Sequence, residues 1–213
     1  MNTGSIFLNF GMIAGSYLLG SVSPSYIACK WIKGVDIRTV GDKNPGSANI
    51  ATVIGSTPAF IIGFIDLCKG IIPVIIAKNL GISLPYLIVM GLATVIGHDW
   101  SIFLNFKGGK GSLTSLGASV VLLPSETILA FLVWLFIHYI LKVRFIGSLI
   151  TFFLIPFFTW LISCRFLGKP EYLLLFPLGI FFLFLIRMPE NIRNFFSQRD
   201  PFGQKKRNEK NLL

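Results

Sequence analysis

Residues 84–123 read LPYLIVMGLATVIGHDWSIFLNFKGGKGSLTSLGASVVLL. An apolar run long enough to cross a bilayer gives way to NFKGGKGSLTS at 105–115, with two lysines and three glycines. A second apolar run, of about a dozen residues, then starts near 112. At 1.5 Å per residue it covers roughly 18 Å, well short of a hydrocarbon core of about 30 Å. The spacing therefore predicts a half-helix whose N-terminus opens from the glycine loop. Its dipole and unpaired N–H groups would then face that loop. Glycine admits close backbone approach and lysine adds positive charge, so the loop suits an anion, most simply a phosphate. It is not a nucleotide P-loop, because Ser112 follows Gly111 and not a lysine. Irregular backbone at membrane depth is tolerated only where protein or water covers it.

Composition agrees with a membrane protein. The chain of 213 residues is 54% hydrophobic and 13% charged, with mean hydropathy +0.75. A soluble domain carries about 25% charged residues. Apolar runs near 5–29, 57–77, 84–105, 112–123, 125–142, 145–163 and 170–187 predict an all-α, polytopic helical bundle of about seven transmembrane helices, one of them the half-helix. Residues 1–195 are expected to form the membrane domain and 196–213 a basic tail. No basic region of the signal-peptide kind precedes the first run, which is expected to be retained. Cys29, Cys68 and Cys164 are odd in number and lie in or beside apolar runs, which argues against a disulfide framework.

The net charge of +10 reports inner loops and not nucleic-acid binding. With the N-terminus outside and seven crossings, fifteen of the nineteen Lys and Arg residues fall inside: Lys30, Lys33, Arg38, Lys43, Lys107, Lys110, Lys142, Arg144 and seven between 187 and 210. Lys78, Arg165 and Lys169 fall outside, and Lys69 lies within a span. The expectation is a multi-pass protein of a bacterial inner membrane with a cytoplasmic C-terminus.

Several polar residues could carry chemistry. In the segment 36–49, DIRTVGDKNPGSAN, Arg38 can hold a phosphate with its planar fork, and Asn44 and Asn49 can orient hydroxyls. Gly46 suggests close packing. Asp66 and Lys69 share a face of the second span, where charge is costly and marks a functional candidate. They would equally form a self-neutralising pair. His98 is a candidate acid or base at the end of the third span, or a hydrogen-bonded structural residue. Arg187, Glu190, Asn191 and Arg193 have helical spacing where the chain leaves the membrane. No His/Cys cluster has metal-ligand spacing, and no G-x-S-x-G elbow is present.

Four stretches together resemble the bacterial acyl-phosphate:glycerol-3-phosphate acyltransferases. LLGSVSPSYI (18–27) is similar to that family's G-S-I-P signature. GVDIRTVGDKNPGSANI (34–50) resembles D-I-R-x-x-G-S-G-N-x-G-A-T-N. VIGHDWSIFLNFKGGKGSLTSLG (95–117) resembles G-H-x-F-P-x-F-L-x-F-K-G-G-K-G-V-A-T. FFLFLIRMPENIRN (181–194) resembles a closing R-H-R-E-N-I-x-R. The resemblance implies acyl transfer from a fatty acyl phosphate to the 1-hydroxyl of glycerol 3-phosphate, giving lysophosphatidic acid and phosphate without a cofactor or metal. It implies catalytic roles for Arg38, His98, Glu190 and Asn191. Substrate-binding roles fall to Asn44, Gly46, Asn49, Lys107, Gly108, Gly109, Lys110 and Gly111. The expected partners are the acyl phosphate, glycerol 3-phosphate and membrane lipid, and no nucleic acid. The chain departs from the pattern at Asp42 and Lys43 (serine and glycine in the family), at Gly147 (serine) and at Met188 (histidine). Alternative readings are a paralogue acylating another phosphorylated polyol, or a non-enzymatic carrier for an anionic lipid or phosphate.

Overall fold

The computed structural model describes residues 3–141 and 144–187. Among the described residues nine α-helices follow one another: α1 (Thr3–Ser21), α2 (Pro24–Lys33), α3 (Ser47–Val53), α4 (Ser56–Asn79), α5 (Leu84–Asp99), α6 (Ser112–Leu122), α7 (Pro124–Leu141), α8 (Arg144–Phe158) and α9 (Leu175–Ile186). No strand occurs among the described residues, so the all-α expectation stands. Four apolar segments among the described residues are long enough to span a membrane: Ile6–Lys33, Ser56–Asn79, Leu84–Leu104 and Gly147–Phe166. Three more, Ser112–Leu122, Pro124–Ile137 and Glu171–Ile186, are shorter. These match the seven expected runs, and α6, with 11 residues, is the expected half-helix.

The first run is not one helix. It breaks between Ser21 and Pro24. Proline disfavours helical backbone in the residue before it, and Ser23 is accordingly extended, with its side chain accepting the Tyr26 N–H as a cap. The third run is also shorter than expected. Its helix stops at Asp99, followed by a 3₁₀ turn at Ile102–Leu104. Beyond α8 the chain continues as a π-helical segment, Thr159–Phe166.

Small residues set the central crossings. The α-carbon of Gly20 lies against the Thr94 backbone and that of Gly97 against the Tyr17 backbone, which seats α1 on α5. Gly70 lies against the Thr114 backbone and Gly117 against the Leu67 backbone, which seats α4 on α6. A side chain at any of the four would overlap backbone of the partner helix. Helices meet this way in lipid, where association depends on close packing and not on excluding water. The other half of the bundle packs larger groups: Phe152 on Phe184 and Phe153 on Phe181 join α8 to α9. Phe60, Phe64, Phe136 and Phe182 face outward, as lipid contact allows.

Glu126, fully buried at the start of α7, accepts from Ser125 Oγ at 2.9 Å and from Ser163 Oγ at 2.5 Å. It ties α7 to the π-helical segment.

Candidate active site

The glycine loop folds back over the C-terminal end of α5. Gly108 N–H donates to Asp99 O at 3.1 Å, and Gly109 N–H donates to His98 O at 2.9 Å. Those amides satisfy helix-end carbonyls that would otherwise be orphaned. The amides of the two middle glycines are therefore committed to α5, whereas the first turn of α6, at Ser112, Leu113 and Thr114, has no side-chain cap. Gly111 forms the turn into α6 with φ +61°, a conformation that suits glycine. Gly109 is not in the left-handed region. It must be small because its α-carbon lies against the His98 ring, at Nε2 and Cδ2. Lys107 is exposed and Lys110 half-buried.

Arg38 reaches this end of the bundle from the first polar loop. Its Nε and Nη2 hold the Asp36 carboxylate at 2.7–3.1 Å, and Nη1 donates to Leu104 O at 2.9 Å. The guanidinium also lies 5.4 Å from the Tyr26 ring centre. A guanidinium has five N–H groups, so one on each terminal nitrogen stays available. The Arg38 hydrogen bond holds the Asp36 carboxyl below the usual carboxylate range against the opposing effect of burial.

The neighbouring turn is built by Asn49, which is buried. Its Nδ2 donates to Ile37 O and Val40 O, and its Oδ1 accepts from Asp42 N–H. That side chain braces the loop and presents no group outward. Asp42 Oδ1 accepts from Asn44 N–H, so the carboxylate closes a local turn. Gly46 precedes the first residue of α3. Ser47 of α3 and Leu113 of α6 both pack over Gly63 of α4, which brings the two helix starts together. Lys43 adopts φ +63° at the position of the family's glycine.

Beneath the loop lies a buried cluster. Lys69 Nζ lies 2.9 Å from Gly20 O, 2.8 Å from Val22 O and 2.9 Å from His98 Nδ1. Asp66 Oδ1 lies 3.1 Å from Lys69 Nζ as its counter-charge. Thr114 Oγ1, from α6, donates to Asp66 O and lies 3.3 Å from His98 Nδ1. The two carbonyls belong to the break between α1 and α2, so Lys69 satisfies the frayed end of the first helix.

From the far end of the chain, Arg187 stacks on Trp100 at 4.8 Å and donates to Asp99 O. Tyr17 Oη donates to Trp100 O, and Ser101 Oγ donates to Ser21 O. The end of α5 is thus the meeting point of the first span, the first polar loop, the glycine loop and the last span. Glu190 and Asn191, with Met188, lie outside the described residues. A Cβ at Gly147 would lie 3.3 Å from the Trp134 ring, so the family's serine would fit there only if the ring gave by a few tenths of an ångström. A cavity of about 160 Å³ lies between α6, α7 and α8, with Ser112, Leu113, Ala130, Phe152 and Ile155 among the residues that line it.

Sequence reading missed three features here: the Lys69 contact with His98, the role of Thr114 and the stacking of Arg187. Asp66 and Lys69 were visible as a pair, and charge in an apolar run was the signal.

A multi-pass helical bundle with cations and helix N-termini gathered at one end, beside an apolar cavity, defines an integral membrane enzyme for an amphiphilic anionic substrate. The glycerol-3-phosphate acyltransferase family model matches residues 10–198. A glycerol-3-phosphate acyltransferase of Vibrio campbellii is 36% identical over 202 residues, covering 94% of this chain and 96% of that one. One from Fusobacterium nucleatum is 32% identical over 188 residues, covering 88% and 94%. The crystal structure of PlsY, an integral membrane glycerol 3-phosphate acyltransferase, in its glycerol 3-phosphate form superposes with a TM-score of 0.80 at 34% identity, covering 90% of this chain and 93% of that one. A lysophosphatidic acid form gives 0.76 at 33% identity. The chain belongs to the glycerol-3-phosphate acyltransferase family.

Proposed function

We propose that the protein transfers a fatty acyl group from an acyl phosphate to the 1-hydroxyl of glycerol 3-phosphate. The hydroxyl oxygen attacks the acyl carbonyl and the new ester C–O bond forms. The bond from carbonyl carbon to phosphate oxygen breaks, and the hydroxyl proton leaves with inorganic phosphate. The donor already carries a good leaving group, so the protein's task is to hold two anions, screen their repulsion and align hydroxyl with carbonyl. The observation that carries this reading is the convergence of the loop at 107–111, the first turn of α6 and Arg38 on one end of the bundle. Arg38, with two N–H groups uncommitted, suits one phosphate. Lys107, Lys110 and the α6 amides suit the other. The apolar cavity lined in part by Ser112 and Leu113 suits the acyl chain.

The site faces the cytoplasm of a bacterial inner membrane, with the N-terminus outside and the C-terminus inside. Support for this comes from the bias of Lys and Arg toward the loops on the site's side. The test is turnover by purified protein given an acyl phosphate and glycerol 3-phosphate. Equal release of lysophosphatidic acid and inorganic phosphate is expected. Phosphate release without the lipid product would overturn the reading.

A further inference from the structure

His98 stands where a general base would, yet its surroundings assign it a different role. The ring is 8% exposed. Its Nδ1 faces the Lys69 amine at 2.9 Å, with Thr114 Oγ1 at 3.3 Å and Asp66 Oδ1 at 3.6 Å. The other ring nitrogen, Nε2, takes no hydrogen-bond partner among the described residues and lies against Gly109 in the glycine loop.

The Lys69 contacts determine the tautomer. An ammonium has three N–H donors and no acceptor. Two donate to the carbonyls of Gly20 and Val22, which can only accept. The third is shared between His98 Nδ1 at 2.9 Å and Asp66 Oδ1 at 3.1 Å, the nearer acceptor being the ring nitrogen. An Nδ1 that receives this hydrogen bond carries no proton of its own. The single proton of the neutral ring then sits on Nε2. Thr114 does not compete, because its hydroxyl hydrogen goes to Asp66 O.

We propose that Lys69 is a positioning residue that locks His98 as its Nε2–H tautomer, so that His98 donates a hydrogen bond to a phosphate oxygen held at the glycine loop and does not act as the base. The proposal rests on the reading of that loop as a phosphate site. It also gives the break in the first span a function. The carbonyls freed at Gly20 and Val22 anchor the amine that sets the proton on a ring 29 positions beyond Lys69.

Two measurements test it. The chain has two histidines, so replacing His138→Gln leaves one imidazole to observe by nitrogen-15 resonance in detergent micelles. The expected spectrum has an unprotonated Nδ1 and a protonated Nε2, and Lys69→Met abolishes that preference. Adding glycerol 3-phosphate should shift the Nε2–H signal and leave Nδ1 unprotonated. A protonated Nδ1, as a neutral lysine amine would allow, overturns the tautomer lock. A protonated Nε2 that ignores glycerol 3-phosphate overturns the donor role and points to a phosphate site elsewhere.

The second measurement is kinetic. The amide nitrogen of glutamine can occupy the Nε2 position, whereas that of asparagine stands nearer Nδ1. His98→Gln should exceed His98→Asn and His98→Ala in kcat/KM by about tenfold or more, as a hydrogen bond to a charged group predicts. The acid limb of the pH–rate profile should be the same in His98→Gln as in the parent. Equal losses in all three variants, at equal thermal stability, would overturn the proposal.

Discussion

Arg38 Nη1 donates to the carbonyl of Leu104, 66 positions later in the chain, at 2.9 Å. This bond fastens the first polar loop to the turn that precedes the glycine loop, while Nε and Nη2 hold Asp36. A lysine can make one of these contacts but not the fork. Arg38→Lys should therefore lower kcat/KM by about 10- to 100-fold, the range expected for losing hydrogen bonds to a charged group. Wild-type kinetics in the lysine variant would remove Arg38 from the site.

The Asp36–Arg38 pair also has a defined pH sense. Hydrogen bonding to Arg38 lowers the Asp36 pKa in the folded protein. A depressed folded pKa adds stability above the unfolded value, about 4, and that stability is lost as pH falls through the folded value. The pair is about a quarter exposed, so the effect is small. Asp36→Asn should unfold at a lower temperature than the parent at pH 7, and the gap should shrink toward pH 3. A gap that widens on acidification would contradict this.

Gly117 and Gly70 seat α4 on α6 by backbone contact, with no room for a methyl group. Gly117→Ala should cost about 1–3 kcal/mol, as overpacking does. Gly11 and Gly15 lie inside α1 with open space around them, so alanine there should cost nothing and add up to about 1 kcal/mol. Thermal unfolding of the three variants in one detergent makes the comparison. Equal melting temperatures would mean the crossing can widen freely.

Lys43 holds a left-handed backbone that costs a side-chain-bearing residue roughly 1 kcal/mol. Lys43→Gly should raise stability by some of that amount, and loss of stability would mean that the lysine side chain compensates.

Gly109→Ala would press a methyl group on the His98 ring. The expected outcome is a higher KM for glycerol 3-phosphate with kcat less affected, as when ground-state binding is lost. An unchanged KM in a folded variant would make the loop a structural element.

What the sequence disclosed were properties of single segments. The length and hydropathy of a run are local, so the seven apolar runs and the short helix after Gly111 could be read directly. The break at Ser23–Pro24 was signalled by the proline, but the continuous apolar character of 5–29 concealed it. The contact between Lys69 and His98 left no local pattern, because its partners sit on α4 and α5 and its remaining hydrogens go to carbonyls of α1. The glycine loop's composition suggested an anion. Which amides remained for a ligand depended on how the loop closed on α5, and the spacing of glycines carries no record of that. Asn49 looked like a hydroxyl-orienting group and proved to be the brace of its own loop.

The two walls of the apolar cavity differ in mechanical character. On one side α6 is pinned by backbone contacts at Gly70 and Gly117, which no change of rotamer can relieve. On the other side α7 and α8 present Phe131, Trp134 and Phe152, whose rings can turn. The cavity works like a vice with one fixed and one sprung jaw. An acyl chain seated there, as the proposed function has it, would meet fixed backbone on the α6 side and movable side chains on the other.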